Sequence, residues 1–146
     1  MGLAMVAGNF LLGPIDRITG SRKWGVVAGA GLSAASLAAI VAFPAAGFWT
    51  SALLLAGHGF FGATYPAIMA HGRSFLPAHL IGRGVSFINM FSIGGAGLMQ
   101  FASRPLYRAL SEGTPPETTF RWLFLFFLAP LVAGLVIYLF SRDNRV

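Results

Sequence analysis

The chain has 146 residues, of which 56% are hydrophobic and only 10% charged, with a net charge of +6 and no cysteine. A soluble domain usually carries about 25% charged residues, so this composition excludes an ordinary soluble protein, and the lack of cysteine excludes disulfides and thiolate sites. The basic residues lie at the ends of apolar runs and not on one helical face, which excludes nucleic acid as the expected partner.

The apolar residues form long runs that predict membrane-spanning helices, because a helix needs about 20 apolar residues to cross the hydrocarbon core of a bilayer. The first run, 1–15, is short, and we expect it to be the end of a span whose beginning is missing. Full spans are predicted at 24–43, 48–70, 84–103 and 117–140. The expected fold class is therefore all-α, a polytopic helical membrane protein.

The connections between the predicted spans define an orientation. Segments 16–23, 71–83 and the tail 141–146 fall on one side of the membrane, and segments 44–47 and 104–116 fall on the other. The first side carries seven basic residues, and three lie in or close to the long segment of the second side; they are Arg17, Arg22, Lys23, Arg73, Arg83, Arg142 and Arg145 against Arg104, Arg108 and Arg121. Because the side richer in Lys and Arg is usually cytoplasmic, we expect a cytoplasmic C-terminus.

Two of the predicted spans carry polar residues along one helical face. These residues are Ser51, His58 and Tyr65 in the span 48–70, and Ser86, Asn89 and Gln100 in the span 84–103. Polar side chains are costly to expose to lipid, so both faces should meet protein or water. Two interpretations stay open: hydrogen bonding between helices, and the wall of a substrate cavity.

His58 is the one ionisable side chain near the middle of a predicted full span. It is a candidate for a pH-sensitive ligand or a proton carrier, or else a neutral histidine bonded to a neighbouring carbonyl group. Three of the four acidic residues fall in predicted loops or in the tail, and Glu117 is the first residue of the last predicted span. No catalytic set of side chains converges in the spans, so we expect neither an enzyme nor a bound cofactor or metal.

The other two full spans, 24–43 and 117–140, are almost entirely apolar and are expected to face lipid at little cost. Gly25 and Gly29 have the GxxxG spacing of close helix packing. Pro66 is expected to kink its helix.

Local signals also mark the start of the last helix. Thr114, Pro115, Pro116 and Glu117 have the spacing of a capping box with proline at the first helical position. We therefore expect that helix to begin near Pro115.

The segment GPIDRITGSRK, residues 13–23, joins the first two predicted spans and holds a cluster of charges. Gly20 permits a left-handed turn there. Asp16 follows a predicted helix C-terminus, where the helix dipole disfavours a negative charge. It therefore needs a partner, either Arg17, Arg22 or the N-terminus of another helix.

This segment resembles the cytoplasmic loop signature of the major facilitator superfamily, in the form found between the eighth and ninth spans of those transporters. The family pattern is roughly G-x-L-a-D-R-x-G-r-R-K, and the spacing here departs by one residue on each side of the Asp-Arg pair. The segment 82–100 also resembles the eleventh span of bacterial members. The residues that carry the loop match are Gly13, Asp16, Arg17, Gly20, Arg22 and Lys23.

The resemblance covers spans eight to twelve of a twelve-span bundle, so it implies a C-terminal fragment that lacks the N-terminal half. It implies transport of a small solute, with or without a coupling ion, by alternating access in a bacterial inner membrane. The ninth and twelfth spans would then be peripheral, and the tenth and eleventh would line the cavity. Asp16 would act as a gate latch, and Arg83 would meet the matching latch of the missing half.

A second interpretation belongs to a different class of protein. A small structural or assembly subunit that packs against partner helices has the same composition and the same spans. An open reading frame upstream of the first codon, encoding further spans, would favour the transporter. The sequence does not define the transported solute.

Overall fold

The computed structural model describes residues 1–12 and 20–143, and in these residues it contains helices joined by short turns and no β-strand. The predicted all-α class is confirmed. The described part of the chain has six α-helices and one short 3-10 helix, Ala78–Leu80. The α-helices are α1 (Gly2–Leu12), α2 (Arg22–Ala42), α3 (Phe48–Phe61), α4 (Tyr65–Arg73), α5 (Ile81–Ser111) and α6 (Pro116–Leu139).

Four stretches of the described chain are long and apolar enough to cross a membrane. They are Arg22–Ala42, Phe48–Arg73, Ala78–Ser111 and Pro116–Leu139. α1 is apolar but only 11 residues long. The chain is therefore an all-α protein of the integral membrane type.

The span predicted at 48–70 is interrupted rather than kinked. α3 ends at Phe61, and α4 begins at Tyr65 with Pro66 in its first turn. A proline is tolerated in the first turn because its missing N–H would have no partner within the helix anyway. Pro66 thus starts a new helix, where the sequence predicted a bend in a continuous one.

The helix predicted at 84–103 is longer than expected. α5 runs to Ser111, so most of the predicted external loop 104–116 is helical. The last turns of α5 are held against α6, since the Thr119 hydroxyl donates to the Leu110 carbonyl oxygen at 3.1 Å. This packing with α6 was not readable from the loop-like composition around Arg104 and Pro105.

The predicted capping box before α6 is wrong. The N-cap residue is Pro115, whose side chain has no polar atom, and no side-chain hydrogen bond caps this end. The helix begins with Pro116, so the expected proline at the first helical position is present one residue later than predicted.

α2 lies at the centre of the described helices and packs against α3, α4 and α6. Its buried residues share one face: Val26, Gly29, Ser33, Ala34, Leu37, Ile40 and Val41. The expectation that this span faces lipid holds only for the opposite face, where Trp24 and Leu32 are exposed. α2 is more buried than expected because its small residues let neighbouring helices approach it on several sides.

At Gly29, α2 closely approaches the break that separates α3 from α4. A Cβ atom at Gly29 would lie 2.5 Å from Cγ2 of Thr64 and 2.9 Å from the carbonyl oxygen of Phe61. Any larger residue would therefore push these helices apart. Gly29, one glycine of the GxxxG pair, therefore serves close packing, as expected for small residues between membrane helices.

α5 is the helix with the least cover. It contacts α4 near its beginning and α6 near its end. Between Met90 and Phe101, every residue except Met99 is exposed. The middle of α5 therefore presents side chains that no described helix covers.

Candidate functional site

His58 is bonded to α2 and not to another polar residue of its own stripe. Its Nδ1 atom lies 2.8 Å from the Ser33 hydroxyl oxygen and 3.2 Å from the Ser33 carbonyl oxygen. The Ser33 hydroxyl also donates to the His58 carbonyl oxygen at 3.1 Å. The side chain of Ser33 is fully buried. This geometry is a hydrogen-bonded junction between two helices, one of the alternatives that the sequence left open.

The tautomer of His58 decides which of these atoms donates, because Nδ1 without a hydrogen would accept from the Ser33 hydroxyl. With a hydrogen on Nδ1, this atom donates to the Ser33 carbonyl while the Ser33 hydroxyl donates to the His58 carbonyl, so both hydrogens have acceptors. Nε2 then keeps a free lone pair. His58 also lines an apolar pocket of about 370 Å³, whose other residues are Met1, Leu37, Leu55, Phe124, Phe127 and Leu131.

One contact joins the two polar stripes predicted from the sequence. The hydroxyl of Tyr65, at the start of α4, donates to the side-chain oxygen of Asn89 on α5. This contact lies immediately after the interruption of the α3–α4 span. It brings together one residue of each stripe at the point where α5 leaves the other helices.

The remaining stripe residues do not converge with this pair. Ser51 lines a separate pocket near the start of α6. The Ser86 hydroxyl donates to the Gly82 carbonyl oxygen within α5 at 3.0 Å, and Gln100 is exposed on the uncovered part of that helix. The described helices therefore form no single cavity around the six candidates, and a shared cavity stays a prediction.

The candidate gating residues are only partly described. Gly13, Asp16 and Arg17 lie outside the described residues. Gly20 has a φ of 66°, which is the left-handed turn expected there. Arg83 is exposed near the start of α5.

Arg22 and Lys23 of the same motif form the first turn of α2. The Lys23 ammonium group donates to the carbonyl oxygens of Leu139 and Ser141, each at 2.8 Å. A cation at the C-terminal end of a helix stabilises it, because unpaired carbonyl groups carry partial negative charge there. Lys23 thus ties the beginning of α2 to the end of α6.

A buried histidine that the sequence analysis did not single out lies at the same end of the bundle. His71, at the end of α4, is only 3% exposed. Its Nδ1 atom lies 2.5 Å from the Tyr138 hydroxyl, and its Nε2 atom lies 3.0 Å from the Arg142 carbonyl oxygen. Tyr138 and Arg142 are 67 and 71 residues further along the chain than His71, so no pattern in the sequence could have linked them to it.

The C-terminal segment is held by a second contact beside His71. The Ser21 hydroxyl lies 2.9 and 2.8 Å from the two carboxylate oxygens of Asp143. The start of α2, the end of α4 and the residues after α6 therefore meet in one polar cluster. We refer to Ser21, Lys23, His71, Tyr138 and Asp143 as the end cluster.

Comparison with known proteins identifies no relative: no family model, no curated protein and no solved structure matches the chain significantly. The resemblance to the major facilitator superfamily therefore rests on the two segments named above. Within residues 1–12 and 20–143, no group of three or more His, Cys, Asp or Glu side chains is arranged to hold a metal ion.

Proposed function

We propose that the chain is part of a secondary transporter of the major facilitator type, which moves a small solute by alternating access. The observation that supports this most is the polar face of α5. Ser86 and Gln100 are exposed on a helix of membrane-spanning length, and no other described helix covers them. Exposing these polar groups to lipid hydrocarbon costs free energy, so they should face a water-filled cavity or be covered by further helices.

The interrupted α3–α4 span supports the same proposal. Discontinuous spanning helices commonly form the binding sites of secondary transporters, because their ends offer unpaired backbone groups. Here the interruption separates helices of 14 and 9 residues, and Tyr65 follows it directly. The Tyr65–Asn89 contact then places a hydroxyl and an amide beside these helix ends.

The chemistry of this region indicates the class of solute. Tyr65, Ser86, Asn89 and Gln100 bind through hydroxyl and amide groups, which carry no charge. We therefore propose an uncharged hydrophilic solute. In this proposal Asp16 and Arg83 belong to the gate at the membrane surface, the N-terminal half completes the cavity, and the C-terminus is cytoplasmic.

Cysteine accessibility tests this proposal directly, because the natural chain contains no cysteine and every variant therefore has a single thiol. Asn89→Cys and Gln100→Cys should react in membranes with a small hydrophilic thiol reagent. The control variants Leu98→Cys and Phe101→Cys change exposed apolar positions of the same helix and should react only with a membrane-permeant hydrophobic reagent.

The alternative function gives a different pattern. In a structural subunit, a partner helix would cover the polar face, so Asn89→Cys and Gln100→Cys would stay unreactive in membranes and become reactive after extraction into detergent. Equal reactivity of all four variants in membranes would contradict the water-filled cavity. Protection of the two polar positions by an added solute would identify that solute as a ligand.

A further inference from the structure

Two neighbouring pockets lie between α2, α3 and α6. The first, of about 220 Å³, lies where α3 and α6 begin and includes Ser51, Glu117 and Arg121. The second, of about 370 Å³, lies further along the same helices and ends at His58 and Leu131. Leu55 and Phe124 line both pockets, so the two spaces are neighbours along α6. We call the combined space the α6 groove.

From Arg121 inward, the length of the α6 groove matches the hydrocarbon of one leaflet of a bilayer. Arg121 and Leu131 are ten residues apart on α6. At 1.5 Å per residue this corresponds to about 15 Å. The hydrocarbon core of a bilayer is about 30 Å thick, so the groove extends over about half of it.

The groove has a polar mouth and an apolar interior. Its mouth has one acidic and one basic side chain, Glu117 and Arg121, both exposed and one helical turn apart. Its interior is lined by aliphatic and aromatic side chains, among them Phe124 and Phe127. Trp122 is 53% exposed beside the mouth, and exposed tryptophan is typical of the level of the lipid headgroups.

We propose that the α6 groove binds one acyl chain of a zwitterionic phospholipid. The phosphate group would accept hydrogen bonds from Arg121, and the cationic part of the headgroup would lie near Glu117. This pair of opposite charges is complementary to a zwitterion, whereas a purely anionic headgroup would also meet the Glu117 carboxylate. The acyl chain would lie along Phe124 and Phe127, and its end would approach His58.

This proposal does not depend on the transport function, because it concerns a surface that a membrane protein of either class would present to lipid. It differs from ordinary contact with surrounding lipid in two respects. The acyl chain would be held at one defined position on the protein, and the lipid headgroup would be selected by its charge. Both properties can be measured on the protein in a bilayer.

The position of the acyl chain can be tested by photolabelling. The protein is reconstituted in nanodiscs that contain a zwitterionic phospholipid with a diazirine at the end of one acyl chain, and labelled peptides are mapped by mass spectrometry. Peptides with Leu55 and Leu131 should be labelled more strongly than the peptide with Leu98, which contacts only surrounding lipid in this proposal. Uniform labelling of all three would overturn it.

A substitution that fills the junction of the two pockets gives a matched comparison. Leu55→Trp should reduce labelling in the groove to the level at Leu98. Leu53→Trp, at a 73% exposed position of the same helix, should leave it unchanged. Equal labelling of the two variants would contradict binding in the groove. Circular dichroism and size-exclusion profiles show whether both variants remain folded.

The headgroup preference provides a second test that leaves the apolar interior intact. Native mass spectrometry of protein extracted from mixed zwitterionic and anionic bilayers measures the retained lipid. Arg121→Gln should lower the retained zwitterionic lipid by about fivefold, as expected for the loss of one charge-assisted contact. Glu117→Gln should shift retention toward anionic lipid. Arg104→Gln, at an exposed position of α5, is the control.

The outcomes of this second test are clear even if Leu55→Trp fails to fold. If Arg121→Gln lowers retention no more than Arg104→Gln does, the headgroup does not bind at the mouth. If the unmodified protein retains anionic lipid preferentially, the assignment to a zwitterion is wrong. Selective loss with Arg121→Gln and a shift with Glu117→Gln together support the proposal.

Discussion

The hydroxyl oxygen of Ser33 on α2 lies 2.8 Å from Nδ1 of His58 on α3. His58 is therefore held by the helix at the centre of the described structure, and its ring orientation is fixed by two atoms of one residue, the hydroxyl and carbonyl oxygens of Ser33. Of the two roles that the sequence left open for this histidine, the structural one has a named partner. A functional role would have to act toward the apolar pocket that His58 lines.

The first prediction concerns this junction. Ser33→Ala should lower the free energy of unfolding by about 0.5–1.5 kcal/mol, the usual range for hydrogen bonds between membrane helices. Ser36→Ala is the matched control on the same helix, because the Ser36 hydroxyl bonds only to the Leu32 carbonyl oxygen within α2. Unfolding in mixed detergent micelles measures both variants. Equal effects would show that the Ser33–His58 contact contributes nothing specific.

The second prediction concerns the end cluster. His71→Ala removes the partner of the Tyr138 hydroxyl and of the Arg142 carbonyl group, and should lower stability by about 2–3 kcal/mol. His79→Ala changes an exposed histidine of the 3-10 helix and should have almost no effect. The same micelle unfolding experiment compares the two.

Limited proteolysis adds a local measurement to that comparison. His71→Ala should also speed cleavage after α6, because the Arg142 carbonyl group loses its bond to the imidazole. A C-terminal segment that stays as resistant as in the unmodified protein would contradict the anchoring role of His71.

The third prediction concerns close packing at Gly29. Gly29→Ala places a methyl group within 2.5 Å of Thr64 and should lower stability by about 1–3 kcal/mol, the usual cost of overpacking. Gly31→Ala adds the same methyl group where no atom lies within 4 Å. It should be neutral or raise stability by up to about 1 kcal/mol, since alanine favours helix more than glycine does. A neutral Gly29→Ala would show that α2 and Thr64 are less closely packed.

Much of the fold could be predicted because hydrophobic runs alone determine where spanning helices form. The starts of α2 and α3 follow directly from the charge at Lys23 and the turn at Gly47. The end of α5 could not be predicted, because residues after Arg104 look like a loop until their packing against α6 is known. Tertiary contact, here between Leu110 and Thr119, extended the helix.

The polar contacts were predictable only in part. Helical periodicity identified Tyr65 and Asn89 as inward-facing candidates, and the structure brings these two together. The same periodicity grouped His58 with them, although its partner Ser33 belongs to a span that is almost entirely apolar. The two serines of this span, Ser33 and Ser36, give no periodic signal among alanines and glycines, so this pairing depended on knowing which faces of α2 and α3 meet.

The fourth prediction concerns the orientation of the bundle in the membrane. We expect the end that contains the end cluster to be cytoplasmic, because the larger share of the basic residues flanks that end of the spans. His79 is exposed at this end, and Glu112 is exposed at the other. His79 and Glu112 are therefore suitable positions for a cysteine that reports which side of the membrane each end faces. Two neighbouring loop positions are less suitable: Ser21 is buried, and a cysteine at Gly113 would adopt the φ of 79° only with strain.

In intact cells, His79→Cys should resist an impermeant thiol reagent added outside, whereas Glu112→Cys should react. After the membrane is permeabilised both should react, which shows that each thiol is chemically accessible. Because the natural chain has no cysteine, all labelling comes from the introduced residue. Reaction of His79→Cys before permeabilisation would reverse the orientation. It would also place Asp16 and the rest of the loop motif on the external face, where the proposed cytoplasmic gate could not operate.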